Sequence, residues 1–211
     1  VAGDRTTPGM RGPYRKGVER REQIIRSASE VFGELGYFGG SLRTIGDRVG
    51  ASPATLTQYF GSKEGLLAAV LEDWQRQAGR GLLQDDPLGL EYFRALIRVT
   101  EFHVEHRGLL ELFITMAADS TNPGHPAREF IQRRYADVLG NCTAKLREAV
   151  DRGEVAPMSD EQIEAEVRIL IAVLDGLELQ WLLGADIDLP ALATRYLEHA
   201  ITCWQSGRSI S

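Results

Sequence analysis

Apolar residues recur at helical spacing along almost the whole chain. From Glu19 onward, Ile24, Ile25, Ala28, Val31, Phe32 and Leu35 fall three and four residues apart, and Gly36 supplies a stop. Ser41 is placed as the N-cap of a short helix carrying Leu42, Ile45 and Val49 before Gly50. Ser52-Pro53, a cap followed by proline at the first helical position, opens a third helix running to about Phe60. Gly61-Ser62 break the chain, and Ser62 caps a longer helix holding Leu66, Leu67, Val70, Leu71 and Trp74. Beyond Gly79 the spacing predicts helices over roughly 88–105, 107–118, 126–152, 160–183 and 189–205. No window alternates apolar and polar residues with period two, so no strand is predicted. The expected fold class is all-α, about nine helices in all, with a small N-terminal unit and a larger C-terminal bundle.

Composition narrows the picture. A chain of 211 residues with 43% hydrophobic content buries a core without disulfides or a structural metal. Cys142 and Cys203 stand far apart with no C-x-x-C spacing, which argues against a disulfide scaffold or zinc site and for a reducing, cytoplasmic home. The opening residues lack the apolar core of a signal peptide. The most apolar segment, Ile169 to Ala185, is interrupted by Asp175, Glu178 and Gln180 and falls short of a membrane span, so no membrane partner is expected. Residues 1–18, rich in Gly and Pro, read as a flexible arm carrying Arg5, Arg11, Arg15 and Lys16.

The net charge of −6 argues at first against a nucleic-acid partner. Its distribution reverses that. Residues 1–63 hold 10 basic and 6 acidic groups, and residues 64–211 hold 14 and 24. The acidic excess belongs to the C-terminal part.

Within the basic part, two short helices meet at Gly50, and Gly46 gives the first a small face for the second. Ile45, Val49, Leu56 and Phe60 are spaced to form a core with the preceding helix. This is helix-turn-helix geometry, in which the second helix enters the DNA major groove. It turns Ala54, Thr55, Thr57 and Gln58 outward, where small and hydroxyl-bearing side chains reach base edges or phosphates.

The block from Glu19 to about Val70 resembles the DNA-binding domain of the TetR/AcrR family of transcriptional regulators. The resemblance is carried by Ile24-Ile25-Arg26-Ser27-Ala28, Phe32-Gly33-Glu34-Leu35-Gly36-Tyr37, Arg43 through Ser52, and Leu56-Thr57-Gln58-Tyr59-Phe60-Gly61-Ser62-Lys63-Glu64-Gly65-Leu66-Leu67. It implies phosphate contacts from Tyr59 and Lys63, a base contact from Arg43, and a phosphate or base contact from Thr55. Ser41 and Thr44 complete the candidate DNA-binding set. Two positions depart from the family pattern: Thr57 replaces the usual Tyr, losing a phenolic contact, and Gly46 replaces the usual Ala. Arg11, Arg15 and Lys16 are either a minor-groove arm or solubilising residues. The expected domains are an arm over 1–18, the helix-turn-helix domain over 19–66, and an effector-binding and dimerisation domain over 67–211.

The helix over 160–183 is apolar on two sides, which demands two covers. Ile163, Val167, Leu170, Leu174 and Trp181, with Leu192, Tyr196, His199 and Cys203 from the last helix, are the candidate dimerisation residues. A second stripe runs through Ile169, Ala172, Val173, Gly176, Leu179 and Leu183. The resemblance implies a four-helix dimer interface built from these last two helices, and a two-fold dimer implies a palindromic operator. Trp74, Tyr92, Phe102, His106, Phe113, Met116, Tyr135 and Asp175 are the candidate effector-binding residues, each large, polarizable or polar on a central helix.

His103-x-x-His106 places two imidazoles one turn apart, but no third ligand lies near in sequence, and no metal or other cofactor is expected. No G-x-S-x-G, P-loop, G-x-G-x-x-G or H-E-x-x-H occurs, and no enzymatic activity is expected. The reading is a homodimeric regulator, a repressor more than an activator, with double-stranded operator DNA and a small-molecule effector as partners. The alternatives are a small-molecule-binding bundle or enzyme that does not bind DNA, and a dimerising protein-interaction adaptor.

Overall fold

The computed structural model describes residues 12–83, 87–125 and 127–210, and among them every regular element is a helix. The order is α1 (Gly12–Gly39), α2 (Leu42–Val49), α3 (Pro53–Phe60), α4 (Lys63–Leu83), α5 (Leu90–Ala95), α6 (Ile97–Glu105), α7 (Arg107–Asp119), α8 (Arg128–Asp151), α9 (Asp160–Leu182) and α10 (Leu189–Gln205). The residue between α5 and α6, Leu96, itself has right-handed helical geometry, so the two form the single predicted run with a break in it. Counting that run as one helix recovers the expected nine. The chain divides into two compact units, Val1–Val70 and Leu71–Ser211.

The arm expected over 1–18 needs revision. Residues 1–11 lie outside the described residues, but α1 begins at Gly12, ahead of the Glu19 start that periodicity suggested. Arg15 pairs with Glu19 one turn on, at 2.9 Å, so the polar residues before Glu19 extend the helix. Gly36 acts as the predicted stop: its φ of 66° is left-handed and breaks α1 before Gly39.

In the first unit α1 packs on α2 and α2 on α3, and Ile24, Ala28, Val31 and Phe32 of α1 are fully buried, as are Ile45 of α2, Leu56 of α3 and Leu66 of α4. The caps follow the sequence. Ser41 Oγ accepts from the Thr44 amide, Ser52 Oγ from the Thr55 amide, and Ser62 Oγ from the Gly65 amide. Arg20 reaches across from α1 to the Val49 and Gly50 carbonyls at 2.7 and 3.1 Å, placing a cation at the negative end of α2.

In the second unit, α8 and α9 pack along each other, and α10 lies against α5, α6 and α9. Phe93, Leu146, Val167, Leu170, Leu197 and Trp204 form its core. Glu166 of α9 is buried there and fully engaged. It accepts from Trp204 Nε1 at 2.8 Å, from the Ile210 amide at 3.1 Å, and from the Ser209 hydroxyl. No described helix is long and apolar enough to cross a membrane.

Candidate nucleic-acid interface and effector cavity

The turn between α2 and α3 depends on glycine twice. Gly50 closes α2 in the left-handed region, at φ 62°. Gly46 packs so tightly that a Cβ there would lie 2.4 Å from the Ala51 carbonyl oxygen. The predicted inner face of α3 is present: Leu56 is fully buried, and Phe60 is half-buried beneath the Arg21 guanidinium, 5.2 Å from the ring centroid. Its outer face carries Ala54, Thr57, Gln58 and Tyr59, all exposed, with Thr55 half-buried beside them.

Hydrogen bonding sorts the candidate DNA-binding residues. Ser41 and Thr44 share a 2.9 Å hydroxyl contact at the start of α2, and Ser52 and Thr55 do the same at α3, so these hydroxyls hold the helix starts. Thr57 Oγ1 donates back to the Pro53 carbonyl at 3.0 Å, which leaves it able to accept but not to donate outward. Arg43 is exposed and has no ion pair or hydrogen bond among the described residues, so its guanidinium is available. Arg48, its neighbour on α2, is tied instead to Glu34 at 2.6 Å.

Lys63 is less solvated than a surface phosphate contact suggests. Its Nζ sits 4.2 Å from the centroid of the Tyr37 ring, and Tyr37 donates its hydroxyl to Glu64 at 2.8 Å. Burial lowers the lysine pKa, partly offset by the neighbouring Glu64 charge. The ammonium is thus positioned at the first turn of α4 by the ring of Tyr37, a residue of the matching stretch to which the sequence assigned no role.

The second unit holds a cavity of about 880 Å³. Of the residues predicted for an effector, Trp74, Tyr92, Phe113, Tyr135 and Asp175 line it. Phe102, His106 and Met116 do not. Phe102 and His106 stack on each other with centroids 4.0 Å apart, and His106 Nδ1 lies 2.8 Å from the Phe102 carbonyl oxygen. Met116 is consumed by the core, at 0% exposure.

The polar end of the cavity comes mostly from residues the sequence did not mark for this role. His103 of α6 stacks on Trp74 of α4 at 4.8 Å, and its Nδ1 lies 2.6 Å from Glu178 Oε1 on α9. Tyr135 of α8 donates to Asp175 Oδ2 at 2.7 Å. Burial raises the Asp175 carboxyl above its ordinary value, against the lowering effect of the Tyr135 hydroxyl. The same burial pushes the Tyr135 phenol well up. Arg134, one residue before Tyr135, lies with its guanidinium 4.7 Å from the Phe113 centroid. The available signal was a histidine, an arginine and two acids spaced on otherwise apolar helical faces; the pairing of His103 with a residue 75 positions away left no local trace.

The dimerisation set also divides. Ile163, Val167 and Leu170 are at most 2% exposed within the core of their own unit, and Cys203 is 3% exposed beside His199. Those four lie inside their own unit, and Ile163, Val167 and Leu170 share one cluster with Leu146 of α8 and Leu197 and Ile201 of α10. Leu174 lines the cavity. Trp181, Leu192 and Tyr196 are half-buried and His199 is exposed. The side of α9 that faces outward is the second stripe: Ala172 and Leu179 are exposed, and Leu183 just beyond the helix is 79% exposed.

Comparison with known proteins agrees with this layout. Residues 24–70 match the model described as bacterial regulatory proteins, tetR family, and residues 94–202 match that described as BetI-type transcriptional repressor, C-terminal. The HTH-type transcriptional regulator UidR of Escherichia coli K12 is 26% identical over 176 residues, covering 82% of this chain and 84% of that protein. A TetR transcription regulator from Haloarcula marismortui shares the fold with a TM-score of 0.77 at 17% identity, over 89% of this chain and 98% of the other. A transcriptional regulator from Saccharomonospora viridis, solved in complex with choline, gives 0.72 at 20% identity, over 88% and 96%. With a helix-turn-helix of this geometry at its N-terminal end and both parts of the family matched in order, the chain belongs to the TetR family of DNA-binding transcriptional regulators.

Proposed function

We propose that the protein is a homodimeric, cytoplasmic repressor that leaves a palindromic operator when a small molecule fills the cavity lined by Trp74 and Tyr135. One observation carries this reading. Helix α4 begins at Lys63, beside the DNA motif, and carries Trp74, a residue of the cavity lining, eleven residues later. A ligand that displaces Trp74 therefore acts on the rod whose other end holds a phosphate contact. Such a ligand shifts DNA affinity only through its differential affinity for the bound and released states. The choline complex of the Saccharomonospora viridis regulator supports a small organic occupant.

At the DNA, Arg43 reads a base edge, Gln58 and Ala54 face the groove, and Tyr59, Thr55 and Lys63 hold phosphates. The exposed stripe of α9, with Trp181, Leu192, Tyr196 and His199, forms the dimer face. Two-fold symmetry then sets the recognition helices about 34–36 Å apart, one turn of DNA, or a multiple of that.

Fluorescence anisotropy with labelled DNA flanking the protein's own gene tests this. Preference for a palindromic segment over random DNA, relieved by a cavity ligand found in a thermal-shift screen, is the expected result. Equal affinity for random DNA at low salt overturns it.

A further inference from the structure

The cavity contains one charged group whose needs the protein does not meet. Arg134 lines it and is largely buried, yet its Nε has no hydrogen-bond partner, and no ion pair to Arg134 is found among the described residues. The two carboxylates nearby are otherwise engaged: Asp175 accepts from Tyr135 and Glu178 is held by His103. They favour the guanidinium's charge without accepting from its Nε. A buried guanidinium nitrogen left without an acceptor is costly, and the site tolerates it only with a partner to come.

We propose, resting on the reading of this cavity as the effector site, that the effector is an organic carboxylate whose acid group pairs with Arg134 and whose apolar body packs against Trp74, Phe113 and Tyr92. Guanidinium presents parallel donors that match a carboxylate in two hydrogen bonds. Arg134 is pre-set for this, because its face rests on the Phe113 ring at 4.7 Å and fixes its plane. Trp74, whose Nε1 is likewise buried without a partner, adds a neutral donor in the same lining. Lys145 is a second cation around the cavity. A quaternary or primary ammonium, by contrast, would have to enter beside Arg134 and compete with Tyr135 and His103 for their carboxylates.

Three probes of one shape decide the question: 3-phenylpropionate, its neutral amide, and phenethyltrimethylammonium, each titrated calorimetrically into the full chain. The carboxylate is expected to bind about tenfold or more tightly than the amide. That preference should vanish in Arg134→Gln and be partly kept in Arg134→Lys, with thermal melts confirming that both variants fold. The ratio on the unaltered protein stands even if a variant does not fold. Val138→Trp, which fills the cavity from α8, locates the binding. Equal affinity for the amide, or tighter binding of the ammonium, lost in Val138→Trp, overturns the carboxylate and leaves the cavity as the effector site. Binding of none of the three, or binding of the carboxylate that survives Val138→Trp, overturns both.

Discussion

Single atoms decide how the helix-turn-helix closes. The Cβ that alanine would add at Gly46 meets the backbone oxygen of Ala51 at 2.4 Å, and a carbonyl held in a tight turn cannot rotate aside as a side chain would. Gly46→Ala should therefore destabilise the protein by about 1–3 kcal/mol despite a helix-propensity gain of roughly 1 kcal/mol. Urea melts would measure this, and a raised midpoint would show that the turn yields. A second residue-scale effect concerns Asp175. Its folded-state carboxyl is raised, so the folded chain holds that proton more tightly than the unfolded chain does. The resulting stability is present below the ordinary value of 3.8 and lost as pH rises through the raised one. Asp175→Asn, which can still accept from Tyr135, should melt at higher temperature than the unaltered protein at neutral pH, with the difference closing as the solution is acidified.

At the level of helices, the sequence carried most of the information. Ser41, Ser52-Pro53 and Ser62 mark the starts of α2, α3 and α4, and each caps as its chemistry requires. The orientation of α9 was a different matter. Both of its stripes are apolar, and periodicity cannot say which one a neighbour within the same chain will take. The Ile163, Val167 and Leu170 stripe went inward because α8 and α10 cover it, leaving Ala172, Leu179 and Leu183 outside. Two substitutions separate these roles. Leu179→Asp combined with Leu183→Asp should convert the proposed dimer to a folded monomer in light scattering, with operator affinity falling accordingly. Val167→Asp should instead abolish cooperative folding, since it strands a charge in the core. A folded, dimeric double variant would place the interface elsewhere. The cavity was half legible for the same reason. Its aromatic walls announce themselves as large residues on central helices, whereas the union of His103 with Glu178 and the solitude of Arg134 exist only once α6, α8 and α9 are brought together.

Across the whole molecule, the net charge of −6 averages a basic first third against an acidic remainder. Attraction to phosphate is concentrated where the recognition elements lie. Lys63→Ala should weaken specific and random DNA alike and reduce the salt dependence of log K by roughly one, as expected for one lost phosphate contact. A changed base preference at constant salt slope would contradict that role. Arg43→Ala should do the converse, relaxing preference at one base position. Finally, the engagement of Glu166 by Ser209 and Ile210 makes the segment that follows α10 a closing part of the core. An endoprotease cutting after Arg208 would meet a segment that must first be peeled from a buried acid, so its cleavage would proceed at the rate of that local opening. Removing residues 207–211 outright would leave the Glu166 carboxylate with Trp204 alone, and a protein shortened there should lose stability although no DNA or effector residue has been touched.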